Sequence, residues 1–191
     1  MGVSDSEEQN GAMAETTAPS ASSASSPVGN IALSAEDLER LRVTLLVASS
    51  SRVNGNHPFG SVLTDAAGTV VLEAENTVVT DRDATGHAET NLVRLASHRY
   101  TPDELAEFTL YTSCEPCAMC SGAIYWAGIG RVVFALAESE LYAITGANEE
   151  NPTMRLPCRE VFAAGQRETV VAGPALDLRA EATAVHHDFW V

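Results

Sequence analysis

Two short motifs set the strongest constraint on how this chain folds: His87-Ala88-Glu89, and further along Pro116-Cys117-Ala118-Met119-Cys120. A His nitrogen and two Cys thiolates are ligands that zinc accepts, and three protein ligands leave the fourth tetrahedral position open. Glu89 stands two residues after the His, where a carboxylate can move protons on whatever fills that position. The fold must therefore bring His87, Cys117 and Cys120 together, and the sequence predicts a hydrolytic zinc site with Glu89 as its acid and base.

Each motif is ambiguous when it is taken alone. An H-x-E triplet arises often by chance, and a C-x-x-C pair serves elsewhere as a redox couple or as part of a structural zinc clip in a protein-binding module. Structural zinc sites usually have four protein ligands, whereas these motifs supply three and a clip would leave Glu89 without a role. The two motifs in this order favour the hydrolytic site.

The first thirty residues have a composition unlike the rest of the chain. They contain four acidic residues, no basic residue, and an Ala/Ser/Pro-rich run over 18–27. Such a segment buries too little apolar surface to offset its ordering entropy, and it fits neither a secretory signal nor a mitochondrial presequence. We therefore expect a disordered leader over 1–30, one zinc-dependent domain over 31–191, no membrane span, and a cytoplasmic location.

The charge balance bears on the ligand. The chain carries 26 acidic and 11 basic residues, and all of the basic residues are Arg. A chain without Lys has neither a Schiff-base lysine nor a P-loop lysine. Because phosphate contacts usually need a basic footprint, nucleic acid is an unlikely partner and a small-molecule substrate is favoured. Cys114 and Cys158 are expected in core or structural positions.

The apolar periodicity predicts an alternation of helices and strands after an initial helix and hairpin. Ser34 and Asp37 form a plausible capping pair for the first helix, and Gly68 lies at the tip of the hairpin. The strand over 131–135 is apolar enough to be central and parallel. This order predicts an α/β fold, a three-layer α/β/α sandwich with a mixed central sheet and helices on both faces. The predicted helices cover 35–52, 87–99, 117–126, 154–164 and 177–187, and the strands 61–64, 69–75, 108–113, 131–135 and 169–172.

Several stretches resemble the cytidine/cytosine deaminase superfamily of zinc-dependent enzymes. They are His57-Pro58-Phe59-Gly60, Asn76, Asp83 through Glu89, and above all Tyr111 through Trp126. Within the superfamily the chain is most similar to the branch of bacterial guanine deaminases and tRNA adenosine deaminases. It departs from that branch at Ala84 and Gly86, where Pro and Ala are usual.

The resemblance implies a role for each matching position. His87, Cys117 and Cys120 would bind Zn²⁺, and Glu89 would act as acid and base without binding the metal. Asn76 would hold a substrate carbonyl and Phe59 would wall the base. The backbone of Cys117 and of Glu115 would contact the reacting centre.

Two further substrate contacts depend on less direct signals. A gap-free count along the chain puts Glu149 where guanine deaminases place an acidic residue that accepts hydrogen bonds from guanine. Phe189 and Trp190 need a docking place, since exposed aromatic side chains are costly. Because some guanine deaminases close the site with C-terminal residues, the resemblance makes Trp190 a candidate for closing the site. Trp126 is expected to pack within its helix. The remaining histidines, His57, His98, His186 and His187, match no ligand spacing and are expected at surface or packing positions.

The expected function is hydrolytic deamination of an exocyclic amino group on a free nucleobase or related heterocycle, with guanine the first candidate. The alternatives are cytosine, a nucleoside, an amino-triazine, or adenosine in tRNA. A homodimer is expected, because members of this branch commonly associate and the apolar stretch over 121–134 contains more hydrophobic residues than one small domain needs to bury.

Overall fold

A computed structural model describes Gly2, residues 32–146 and residues 148–190 of the chain. The predicted leader over 1–30 lies, apart from Gly2, outside these residues. The described helices are α1 (Ala35–Val53), α2 (Val78–Asp81), α3 (Ala88–Arg99), α4 (Pro102–Leu105), α5 (Ala118–Ala127), α6 (Glu138–Thr145), α7 (Cys158–Ala163) and α8 (Arg179–Ala184). The strands are β1 (Gly60–Thr64), β2 (Val70–Glu75), β3 (Thr109–Cys114), β4 (Arg131–Leu136) and β5 (Val170–Ala172).

Within the described ranges the strands form one mixed sheet in the order β2-β1-β3-β4-β5. β1 is antiparallel to both β2 and β3, whereas β4 is parallel to β3 and to β5. The predicted hairpin, the parallel central strand β4 and the edge strand β5 are therefore confirmed. Gly68 adopts the left-handed backbone that the hairpin turn requires, with φ of 79°.

Alternate residues of the strands supply two separate cores. On one face Leu63, Leu110 and Phe134 pack with residues of α3, α5 and α7. On the other face Val62, Tyr111 and Val133 pack with residues of α1, α6 and α8. Because side chains of a strand point alternately to opposite faces, both faces of the sheet are covered by helices, and the predicted α/β/α sandwich is confirmed.

The structure corrects several predicted elements. The sequence pattern predicts neither α6 nor the short α2, and the helix predicted over 154–164 is confined to α7. Residues 154–157 are not helical, and α7 begins at Cys158, whose backbone N–H donates a hydrogen bond to the carboxylate of Glu115. The helix predicted over 177–187 is shorter, since a 3₁₀ turn at Leu176–Leu178 precedes α8.

One side chain lies elsewhere than its pattern indicates. Trp126, expected to pack within its helix, is 81% exposed on α5. No described helix is both long enough and apolar enough to cross a membrane.

Candidate active site

The two motifs meet because each of them opens a helix on the same face of the sheet. His87 and Cys117 are the N-cap residues of α3 and α5, with extended backbones just before each helix begins. Cys120 lies in the first turn of α5, fully buried. The partial positive charge at the two helix N-termini favours thiolates at these positions.

The distances among the three ligand atoms fit a tetrahedral zinc site. Sγ of Cys117 lies 3.6 Å from Sγ of Cys120, and Nδ1 of His87 lies 3.7 Å and 3.5 Å from these two sulfur atoms. Bond lengths of about 2.3 Å to sulfur and 2.1 Å to nitrogen would separate the sulfurs by about 3.8 Å and each sulfur from the nitrogen by about 3.6 Å. No rearrangement of the side chains is needed to hold the ion.

The protonation states of the two cysteines also favour binding of a metal cation. Hydrogen bonding from Cys120 and from His87 lowers the pKa of the Cys117 thiol to about 4. The same hydrogen bond to Cys117, together with burial, raises the pKa of Cys120 well above its usual range. Cys117 can therefore bind a metal as a thiolate. Cys120 would lose its thiol proton when it binds the metal.

Glu89 lies beside this cluster, buried in the first turn of α3. One of its oxygens, Oε1, accepts a hydrogen bond of 2.6 Å from the hydroxyl of Thr112. The other, Oε2, is 3.4 Å from Sγ of Cys120. Burial raises the pKa of Glu89 above its usual range, which brings the carboxyl closer to the condition of an acid and base at neutral pH.

The cluster opens onto a cavity of about 340 Å³, the lower end of the range for small-molecule sites. Its walls come from the loop between α1 and β1, the ends of β3 and β4, and the segment over 150–154. The lining residues are His57, Phe59, Val78, Ala84, His87, Glu89, Cys114, Glu115, Cys117, Ala118, Met119, Glu138, Leu141, Glu150, Asn151, Pro152, Thr153 and Met154.

Phe59 and Glu115, two of the predicted substrate contacts, are in this wall. The carboxylate of Glu115 is used within the protein, because it accepts hydrogen bonds of 3.1 Å from the backbone N–H groups of Glu138 and Cys158. Asn76 is buried just after β2 but is not among the lining residues, and its Oδ1 accepts a hydrogen bond from the backbone N–H of Val78.

The other two predicted contacts lie near the cavity without lining it. Trp190 packs behind the wall, with its ring centroid 5.3 Å from that of His57 and 6.1 Å from that of Phe59. Its indole N–H donates to Nδ1 of His186. Glu149 and Glu150 are both exposed, and only Glu150 is among the lining residues.

Sequence reasoning missed three residues of the wall: His57, Glu138 and Glu150. His57 is buried, and its Nε2 faces Oε2 of Glu150 at 3.7 Å. Burial, followed by the negative charges of Cys117 and Glu115, raises the pKa of Glu138 to about 7. Glu138 and Glu150 lie in segments with no motif of their own, whereas His57 lies in the His57-Pro58-Phe59-Gly60 stretch that resembles the family and could have been found from it. For Glu138 the available signal is its position two residues after the end of β4, the strand next to β3.

A mixed α/β/α sandwich that carries a three-ligand metal site beside a buried carboxylate defines a metal-dependent hydrolase. The family model for the cytidine and deoxycytidylate deaminase zinc-binding region matches residues 34–136, and the chain belongs to this family. The family assignment and the ligand geometry together confirm the predicted zinc site. The protein is therefore a deaminase, a hydrolase that acts on C–N bonds in cyclic amidines.

Known relatives agree with this family. A probable cytosine deaminase of Schizosaccharomyces pombe is 40% identical over 158 residues, which cover 83% of this chain and 94% of that protein. A guanine deaminase of Bacillus subtilis is 42% identical over 83 residues, 44% of this chain and about half (53%) of that relative. The structure of a guanine deaminase from Nitrosomonas europaea matches with a TM-score of 0.62 and 23% identity over 82% of this chain and 86% of that chain, which shows the shared fold.

Proposed function

We propose that this protein removes an exocyclic amino group by hydrolysis from a free nucleobase or a closely related heterocycle, and that guanine is the first candidate. The observation that carries the proposal is the buried Glu89 carboxylate, which stands beside the His87, Cys117 and Cys120 cluster at the floor of a small cavity. Nucleophile, proton carrier and binding space thus share one site.

His87, Cys117 and Cys120 would hold a zinc ion, which would supply a water activated as a nucleophile near neutral pH. Glu89 accepts a proton from that nucleophile as it adds to the amino-bearing carbon, and passes the proton to the neighbouring ring nitrogen. Glu89 then takes the remaining proton from the hydroxyl group of the addition intermediate and gives it to the amino group, so that the C=O bond of the product forms as the C–N bond breaks and ammonia leaves. The walls of the cavity hold the ring with its reacting carbon towards Glu89 and limit the access of bulk water.

The charge of the cavity favours a free base over a phosphorylated ligand. Glu89, Glu115, Glu138 and Glu150 all contribute to the described wall, and none of its residues is Lys or Arg. A phosphate group would meet carboxylates without a compensating cation. This supports a base or similar neutral ring over adenosine in tRNA.

Guanine and cytosine are favoured by different observations. The carboxylates of Glu138 and Glu150 are acceptors in the wall, and guanine offers the ring N–H and amino donors that such acceptors need. Cytosine is the second candidate, because the relative that this chain covers almost completely is a probable cytosine deaminase.

The deciding experiment measures ammonia release by the zinc-loaded protein from guanine, cytosine, cytidine, adenosine in tRNA, and an amino-triazine. We expect turnover of a free base and none of tRNA. Turnover confined to cytosine would replace guanine as the substrate and leave the chemistry in place. Turnover confined to tRNA would contradict the free-base proposal.

Three further expectations from the sequence stay proposals. They are a disordered leader over 1–30 ahead of a catalytic domain over 31–191, a cytoplasmic location, and a homodimer. The homodimer is supported by exposed apolar side chains on α5.

A further inference from the structure

We infer that Thr112 is a positioning residue for Glu89, holding one carboxylate oxygen so that the other is left to carry the proton. The inference rests on the proposed role of Glu89. Oγ1 of Thr112 donates to Oε1 of Glu89 over 2.6 Å, and both side chains are buried. This distance lies in the range of charge-assisted O–H···O⁻ hydrogen bonds, which are stronger than neutral ones.

The backbone of Thr112 is fixed from both sides. β3 is an inner strand, and Thr112 stands opposite Ser61 of β1 and opposite Phe134 of β4. A β-branched side chain on such a strand has little rotamer freedom, so its hydroxyl is a donor at a defined point. Glu89, by contrast, has three side-chain torsions and lies in the first turn of a helix, where packing alone would leave its carboxylate less well oriented.

The two oxygens of Glu89 are thereby made different. Oε1 is engaged by Thr112, while Oε2 lies 3.4 Å from Sγ of Cys120. When Cys120 binds metal as a thiolate, it has no proton to donate to Oε2. That oxygen is then free to accept a proton and return it, while the bond to Thr112 keeps the carboxylate plane in place.

The first test compares Thr112→Val with Thr112→Ser. Val preserves the shape of the side chain and removes the hydroxyl, whereas Ser preserves the hydroxyl. With the free base that the wild-type protein turns over best, we expect Val to lower kcat about tenfold or more, and to leave KM and zinc content within about twofold. Ser should restore kcat to within about threefold of wild type.

A matched control on the same strand is Ser113→Ala. The hydroxyl of Ser113 accepts a hydrogen bond from the backbone N–H of Gly60, so its loss should affect stability and leave kcat unchanged. A comparable fall of kcat in Ser113→Ala and Thr112→Val would mean that loss of any hydroxyl from β3 disturbs the site, and would overturn the inference.

A double-mutant cycle with Glu89→Gln tests whether Thr112 acts through Glu89. If it does, Thr112→Val should have little further effect on the residual turnover of Glu89→Gln. An equal fall of turnover in both backgrounds, or wild-type kcat in zinc-loaded Thr112→Val, would overturn the inference. Normal turnover by Glu89→Gln itself would instead contradict the proposed function, so the two failures are distinguishable.

Discussion

At the scale of single residues, the predicted metal ligands would both hold the ion and connect two helices. His87 and Cys117 begin α3 and α5, and Cys120 lies one turn into α5, so a bound ion connects the ends of two helices. Cys114 is close in sequence but differs in contact, since its Sγ lies 3.5 Å from Nε2 of His186. Burial raises the pKa of Cys114 well above its usual range and keeps it a thiol.

We therefore predict that Cys117→Ala and Cys120→Ala each lose zinc and activity, and that Cys114→Ala keeps zinc. Because the ion joins α3 to α5, chelation should abolish turnover and lower the Tm of the wild-type protein. Metal analysis and thermal unfolding, with and without a chelator, measure both effects. Full activity in metal-free protein would contradict the prediction.

Glu89 can be separated from the metal by an isosteric change. Glu89→Gln keeps the size of the side chain and its capacity to accept from Thr112, but it cannot take up a proton. We predict that zinc content persists while kcat falls by roughly two to four orders of magnitude. Metal analysis and steady-state kinetics on the same preparation give the answer, and a variant with near-normal kcat would show that another group carries the proton.

Neighbouring glutamates offer a matched pair for substrate recognition. Both Glu149 and Glu150 are exposed, but only Glu150 lines the cavity. If guanine is the substrate, we predict that Glu150→Ala lowers kcat/KM about tenfold, the effect of a lost hydrogen bond to a charged group, and that Glu149→Ala changes it less than about twofold. The reverse order would restore Glu149 as the guanine contact.

At the scale of elements, local patterns were reliable where a local interaction determines the structure. The Ser34 and Asp37 capping box, recognised from the sequence, is present at the start of α1. α6 and the segment before α7 depend on distant contacts instead: the carboxylate of Glu115 binds backbone N–H groups at the starts of both helices. The periodicity of apolar residues cannot reveal the start of a helix when that start is stabilised by a residue more than one element away.

The distinction between local and distant interactions also decides which site residues could be predicted from the sequence. The zinc ligands and Glu89 lie in compact motifs whose spacing follows from helix geometry. His57, Glu138 and Glu150 come from three segments that meet only in the folded chain. The type of Glu138 and Glu150 carries no local signal, since acidic residues are frequent throughout this sequence, and His57 lies in a matching stretch but at no ligand spacing.

One contact between elements offers a stability test. Asp37 of α1 makes a bidentate ion pair with Arg131 of β4, at 2.7 Å and 3.0 Å, and accepts a hydrogen bond from the hydroxyl of Tyr111 of β3. Burial acts to raise the pKa of Asp37, but the hydrogen bonds and charge of Arg131 outweigh it and bring the pKa to about 2. The contact thus ties α1 to the sheet through a carboxylate that stays ionised in the folded state.

We predict that Asp37→Asn lowers the free energy of unfolding at pH 7 by about 2 kcal/mol. Because the folded pKa is below the unfolded one, this stabilisation is complete above about pH 4 to 5 and is lost as the pH falls towards 2. Urea unfolding at several pH values should show the difference between wild type and variant shrinking over that range. Glu36→Gln, which removes a surface pair with Arg40, is the control and should cost less than about 0.5 kcal/mol.

At the scale of the whole molecule, the homodimer is supported by the exposed surface of the protein rather than by the composition of its sequence. Most of the apolar stretch over 121–134 is buried in the chain's own core, including Ile124, Val132 and Phe134, so the composition of this stretch does not by itself indicate an interface. The exposed face of α5 does indicate one. Trp126 is 81% exposed and Met119 is 38% exposed on this helix, and a Cβ at Gly122, between them, would meet no atom within 4 Å.

Met119, Gly122 and Trp126 are three and four residues apart, so they share one face of α5. A large aromatic side chain and a thioether beside an open glycine form a surface that a second copy of the chain would cover with favourable burial of apolar area. We predict a homodimer at micromolar concentration and a monomer for Trp126→Glu, both measured by light scattering. Leu46→Glu is the control, because Leu46 is 70% exposed on α1, on the opposite face of the sheet. A wild-type monomer would contradict the homodimer, and dissociation by Leu46→Glu but not by Trp126→Glu would move the interface from α5 to α1.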